Sequence, residues 1–163
     1  MGKFIMGIDP GQGKSTHGGI AVLGLDGSVV DVVVMPDTMS DVCEFVKDVL
    51  YTSENDGHEV VAYLEDVGHG MPGQSSSTTA KFARHCGHLE MCLYALGIRT
   101  VTCTPQKWQK MYQMPKGGEY KERKNIIKSK AQQMFPRLGR KVSLFTADAL
   151  LIAEYGRKQE IGK

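Results

Sequence analysis

The pair Asp26-Gly27 sits between two runs of aliphatic and β-branched residues, Gly18–Leu25 (GGIAVLGL) and Ser28–Met35 (SVVDVVVM). A two-residue turn of this kind needs backbone conformations that aspartate tolerates and glycine prefers, so the two runs are predicted to pair as an antiparallel hairpin. A short apolar strand, Lys3–Ile8, precedes them, and Val60–Glu65 (VVAYLE) reads as a buried strand ending in carboxylates. Helical stretches separate the later strands. Ser40 is a candidate cap for a helix to about Tyr51, with Val42, Phe45, Val46 and Val49 on one face. A glycine- and serine-rich loop runs from Gly68 to about Ser76, followed by a helix from about Ser77 to Leu96 that Gly97 stops. Its apolar stripe is Phe82, Cys86, Leu89, Leu93 and Leu96. Then come a strand at Arg99–Cys103, a short helix opened by Pro105, and a basic helix from roughly Tyr120 to Phe135 that ends before Pro136. A last helix runs from near Thr146 to about Arg157. This order describes a mixed-sheet α/β protein, and a chain of 163 residues fits a single domain, 1–163.

Composition narrows the class. Hydrophobic residues make up 41% and charged residues 23%, enough for a packed core and too apolar for a disordered chain. No apolar run approaches the roughly 20 residues of a membrane helix, so no membrane association is expected. Met1-Gly2-Lys3 leads directly into strand-like sequence, and Cys43, Cys86, Cys92 and Cys103 form no CxxC pair. The expectation is a cytoplasmic protein with reduced thiols and no signal peptide. The net charge of +2 conceals a strong asymmetry: residues 1–66 carry 12 acids and 3 bases, whereas residues 107–141 carry 11 bases and 2 acids. So dense a basic block points to a polyanionic partner, the alternative being a solvated, lysine-rich helix face. Lys107, Lys110, Lys121 and Lys124 are candidate phosphate contacts that would hold a nucleic acid without reading its bases.

Three carboxylates stand at the ends of apolar elements: Asp9 after the first strand, Glu65 at the end of VVAYLE, and Asp148 in the first turn of the last helix behind a possible Thr146 N-cap. If they converge they offer hard oxygen ligands suited to Mg²⁺ or Mn²⁺, and the helix N-terminus favours an ionised Asp148. Such a metal can activate water for phosphodiester hydrolysis; each acid could instead be a solvated cap. Strand alternation turns the adjacent Asp66 to the opposite face. Gly13-Lys14-Ser15 resembles the end of a phosphate-binding P-loop, but the required glycine five positions earlier is Ile8, and a hairpin strand follows where a helix is needed. The His85-Cys86-Gly87-His88 cluster lacks a second ligand pair for zinc, so exposed or junction-facing histidines are expected.

Taken in order, the motifs resemble RuvC-type Holliday-junction resolvases. Ile8-Asp9-Pro10-Gly11 with Gly18-Gly19-Ile20-Ala21-Val22 is similar to that family's opening. Tyr63-Leu64-Glu65 with Met71-Pro72-Gly73-Gln74 resembles the second acidic strand and loop of its phage-type and organellar-type relatives. Thr104–Lys110 (TPQKWQK) and Ala147–Tyr155 (ADALLIAEY) complete the series across nearly the whole chain. The resemblance implies an RNase H-like fold, a mixed five-stranded sheet flanked by helices. It also implies a homodimer that nicks four-way or branched DNA with a divalent metal, Mg²⁺ or Mn²⁺. Asp9, Glu65 and Asp148 match the family's metal ligands, and Lys121 falls where resolvases carry a basic catalytic residue near the scissile phosphate. Lys107 or Lys110 matches another; Lys124 and Arg84 join them as DNA-binding candidates.

Two positions depart from the pattern. The family carries a further Asp or His three or four residues before the final Asp, where this chain has Phe145 and Leu144. The aromatic wedge that some relatives place after the second acid is replaced by Gly68, leaving His69 and Met71 as candidates for opening a junction. The helix from Ser77 to Leu96 is the candidate dimer interface, with Ala83 and Gly87 allowing close approach and Leu89 and Leu93 supplying apolar area; the alternative is that the protein's own sheet occupies this stripe. A structure-selective endonuclease is the leading expectation, a non-cleaving junction-binding protein of the same fold the second, and an ATPase built on Gly13-Lys14-Ser15 the third.

Overall fold

In a computed structural model that describes residues 2–13, 17–68 and 73–163, the chain forms five strands, five α-helices and a short 3-10 stretch. The strands are β1 (Gly2–Asp9), β2 (Gly19–Gly24), β3 (Val29–Val34), β4 (His58–Glu65) and β5 (Arg99–Cys103). The helices are α1 (Met39–Asn55), α2 (Ser76–Ala95), α3 (Pro105–Met111), α4 (Tyr120–Met134) and α5 (Ala147–Glu160), with the 3-10 stretch at Pro136–Lys141. The single sheet has the order β3-β2-β1-β4-β5. β1, β2 and β3 pair antiparallel as a meander, while β1/β4 and β4/β5 are parallel, joined through α1 and α2. The hairpin turns at Asp26-Gly27 as expected: Gly27 adopts φ +90°, and the Asp26 carboxylate accepts from the Ser28 amide at 2.9 Å.

Both faces of the sheet are buried, which is why its strands read as nearly continuous apolar runs. Side-chain alternation divides the core. Ile5, Ala21, Leu23, Val61 and Tyr63 face α5, α3 and α4; Phe4, Met6, Ile8, Ile20, Val22, Ala62 and Leu64 face α1 and α2. α5 is apolar nearly all round, with Ala147 through Glu154 buried, as a helix sunk between a sheet and further helices must be. It crosses β1 so closely that a methyl group on Gly7 would strike the α5 backbone at Ala149 and Ala153.

Several expected details shift. α1 is capped by Thr38, whose Oγ1 accepts from the Asp41 amide at 3.1 Å, not by Ser40. Thr146 occupies the N-cap position of α5 but makes no capping bond; its hydroxyl donates to the Lys141 carbonyl at 2.5 Å and accepts from the Ser143 amide at 2.9 Å, tying the 3-10 stretch to α5. His85 is buried, contrary to the exposed position expected, because helical periodicity sets it on the same inward face of α2 as Leu89 and Cys92. Burial pushes its imidazole down to about 4, so it is neutral near pH 7. His88 is exposed. Of the two readings of the α2 stripe, Leu89 and Leu93 follow the second and are core residues against the sheet; the outer face of α2 carries Ala83, Gly87, Met91 and Tyr94.

Candidate active site

The same alternation that splits the core assembles a polar site at one end of the α5 face. In β1 it carries Ile5 and Gly7 onward to Asp9, and in β4 it carries Val61 and Tyr63 onward to Glu65. β1 and β4 are parallel neighbours, with Ile8 opposite Leu64, so both carboxylates emerge at the same sheet end. The N-terminus of α5 lies over that end and brings Asp148 in its first turn. Asp9, Glu65 and Asp148 are 8%, 6% and 6% exposed, unusual burial for carboxylates outside a functional site or an ion-pair network. Asp66, one residue on, is exposed and accepts from the Gly68 amide at 3.0 Å, outside this group as alternation requires.

The three acids act on one another electrostatically. Burial holds the Asp9 carboxyl well above the usual range, and the negative charges of Asp148 and Glu65 push it further, against the pull of Lys124. Burial and Asp148 likewise raise Glu65 to about 7, opposed by a hydrogen bond from Trp108 and by Lys124. Lys124, reaching in from α4, lies 2.9 Å from Asp148 Oδ1 as a buried ion pair. Burial works against the Lys124 charge, but Asp148 and Asp9 outweigh it and hold the ammonium protonated.

Among the described residues no three His, Cys, Asp or Glu side chains are drawn together as a ready-made metal cage. The donor set nonetheless fits a hard divalent cation. Three buried carboxylates repel one another with a single lysine to offset them, and a cation among them would relieve the charge that now raises Asp9 and Glu65. Asp9, Glu65 and Asp148 are the residues that would hold it.

The other candidates divide by position. Lys121 is exposed in the first turn of α4, while Lys124, one turn further on, is the lysine that meets the acids. Lys107 and Lys110 on α3 and Arg84 on α2 are exposed. His69, Met71 and Lys14-Ser15 lie outside the described residues; after His17 the chain enters strand β2, where a P-loop would need a helix. Leu144 and Phe145 are partly exposed just before α5, and the His17 ring meets Phe145 edge-on at 5.6 Å. Sequence reasoning did not single out Trp108. It is completely buried, and its Nε1 donates to Glu65 Oε2 at 2.5 Å; a lone tryptophan in a lysine-rich helix was the available signal.

No family model and no characterised protein matches the chain by sequence. In three dimensions it is similar to RuvC of Thermus thermophilus in complex with a Holliday junction substrate, with 14% identity and a TM-score of 0.66 over 98% of this chain and 96% of that one. A second Thermus thermophilus RuvC structure gives 17% identity and 0.58, again over 98% and 96%. The Fowlpox virus resolvase in complex with its Holliday junction substrate gives 15% identity and 0.53 over 98% and 99%. The likeness spans essentially the whole of each chain, so the protein has the RuvC-type resolvase fold, an RNase H-like mixed sheet flanked by helices.

Proposed function

We propose that the protein is a structure-selective endonuclease that nicks four-way or branched DNA with Mg²⁺ or Mn²⁺. The observation that carries this reading is the meeting of Asp9, Glu65 and Asp148 with Lys124 at one sheet end, in a fold whose solved counterparts hold Holliday junctions. A bound divalent ion supplies Lewis-acid polarisation of the scissile phosphodiester and a more acidic water. The chain's own residues do the rest. The carboxylates present hard oxygens from three separate elements, and the packing of α5 on β1 sets their spacing. Lys124 offsets part of their charge and can face a phosphate oxygen. Exposed Lys107, Lys110, Lys121 and Arg84 bind backbone phosphates and orient the duplex arms. A homodimer would give the paired sites that a two-fold junction needs, with Ala83, Gly87, Met91 and Tyr94 of α2 as its contact face; sedimentation at micromolar concentration reads that state directly.

A non-cleaving junction-binding protein is the second reading, favoured by Leu144 and Phe145, which offer no ligand before Asp148. Incubation with a synthetic four-way junction and Mg²⁺ or Mn²⁺ separates the two. Symmetric nicks on the junction but not on linear duplex support the nuclease; binding without nicks supports the second reading.

A further inference from the structure

We infer that Trp108 is a positioning residue for Glu65 and that its indole senses a divalent ion arriving at the carboxylates; this rests on the metal-dependent nuclease reading above. A fully buried indole needs an acceptor for its N–H, and a backbone carbonyl would serve. Here the acceptor is Glu65 Oε2, at 2.5 Å. Because indole nitrogen only donates, the bond favours the charged carboxylate and fixes its orientation, while Oε1 has no hydrogen bond among the described residues. The ring is held in turn. Tyr112 packs edge-on against it at 6.4 Å, and the Tyr112 hydroxyl donates to the Leu151 carbonyl at 2.7 Å. Leu151 belongs to α5, one turn beyond Asp148. Trp108 and Tyr112 therefore link the orientation of Glu65 to the helix that carries Asp148. Groups that orient a metal-binding carboxylate in this way commonly set affinity by 10- to 100-fold.

Trp108 is the only tryptophan in the chain, so its emission reports on this contact without any label. Mg²⁺ titrated into the wild-type protein should change that emission saturably, and Asp148→Asn should abolish the change. By electron paramagnetic resonance, Trp108→Phe should weaken Mn²⁺ binding by roughly 10- to 100-fold while its circular dichroism stays native. Wild-type protein that binds Mn²⁺, with emission indifferent to Mg²⁺ and a folded Trp108→Phe variant that binds Mn²⁺ as tightly, overturns the positioning role and leaves the nuclease reading standing. Wild-type protein that binds no Mn²⁺ overturns both. If Trp108→Phe does not fold, the wild-type emission titration decides alone.

A different observation concerns the opposite face of the sheet. Cys43 on α1 and Cys92 on α2 hold their sulfurs 3.0 Å apart as free thiols, about 1 Å from disulfide bonding distance. We propose that this pair is a site of peroxide oxidation that staples α1 to α2. The partly exposed Cys43 sulfur attacks a peroxide oxygen, forming a sulfenic acid and releasing water. The Cys92 sulfur then displaces the hydroxyl, which leaves as a second water as the S–S bond forms; two thiols supply the two electrons that reduce one peroxide. Burial pushes the Cys92 thiol up to about 12, which favours Cys43 as the first to react. Native protein treated with hydrogen peroxide should fall from four titratable thiols to two, with a Cys43–Cys92 linked peptide on mapping and none in Cys92→Ser. Retention of all four thiols, or loss of Cys86 and Cys103 first, overturns it.

Discussion

Glu160 has no exposed side-chain surface and lies at the C-terminal end of α5, where the helix dipole disfavours a negative charge. It is held there by Lys3 at 3.0 Å, Arg99 at 2.6 Å and the Tyr63 hydroxyl at 2.9 Å, joining α5 to β1, β4 and β5 at the sheet end opposite Asp148. Burial alone would raise its carboxyl, but the bonds from Arg99, Lys3 and Tyr63 outweigh burial and bring it to about 2. A carboxyl depressed from its ordinary 4.5 contributes stability that is fully present above about pH 4.5 and is lost as pH falls toward 2. Glu160→Gln should therefore cost about 3 kcal/mol near neutrality, the scale of breaking one partner of a buried pair. The gap between the two proteins should narrow between pH 4.5 and 2. Urea melts at stepped pH measure this; a gap independent of pH would remove the ion cluster from the account.

At the scale of elements, the site depends on how closely α5 rests on β1. Gly7→Ala adds one methyl where the backbone of Ala149 and Ala153 already lies, so α5 must lift. Overpacking of this kind costs about 1–3 kcal/mol, and since Asp148 rides on α5, cleavage should fall more than stability alone explains. Thermal melts and junction nicking on the same variant check both parts. α4 yields a separate expectation: Lys121→Ala should reduce the slope of log K against log salt for junction binding by about one unit, leaving base preference unchanged. An unchanged slope would return Lys121 to a solvated helix face.

These elements were legible in the sequence to different degrees. The hairpin, the strand VVAYLE and the basic helix carry strong local signals; Asp9 and Glu65 stand out because each ends an apolar run, and Asp148 because it opens one. That Lys124, and not Lys121, meets Asp148 was not legible, since one helical turn separates them and only the docking of α4 on α5 decides which turns inward. The polarity of His85 points outward, while its helical periodicity with Leu89 and Cys92 places it in the core. The Trp108–Glu65 bond, spanning 43 residues, is tertiary and has no local trace.

For the whole molecule, the charge asymmetry takes on a spatial meaning. The acidic N-terminal part supplies most of the sheet and two buried carboxylates, while the basic block forms α3 and α4 and sends Lys124 among the acids. Under the proposed function, holding DNA falls to exposed lysines and arginines and cutting it to buried carboxylates. Asp148→Asn tests that separation most directly, in parallel junction-binding and nicking assays with Mg²⁺ or Mn²⁺. The account predicts junction affinity within a few-fold of wild type and nicking reduced by more than about 100-fold, since even outer partners of a metal site cost 10- to 100-fold. Near-normal nicking by Asp148→Asn would contradict it.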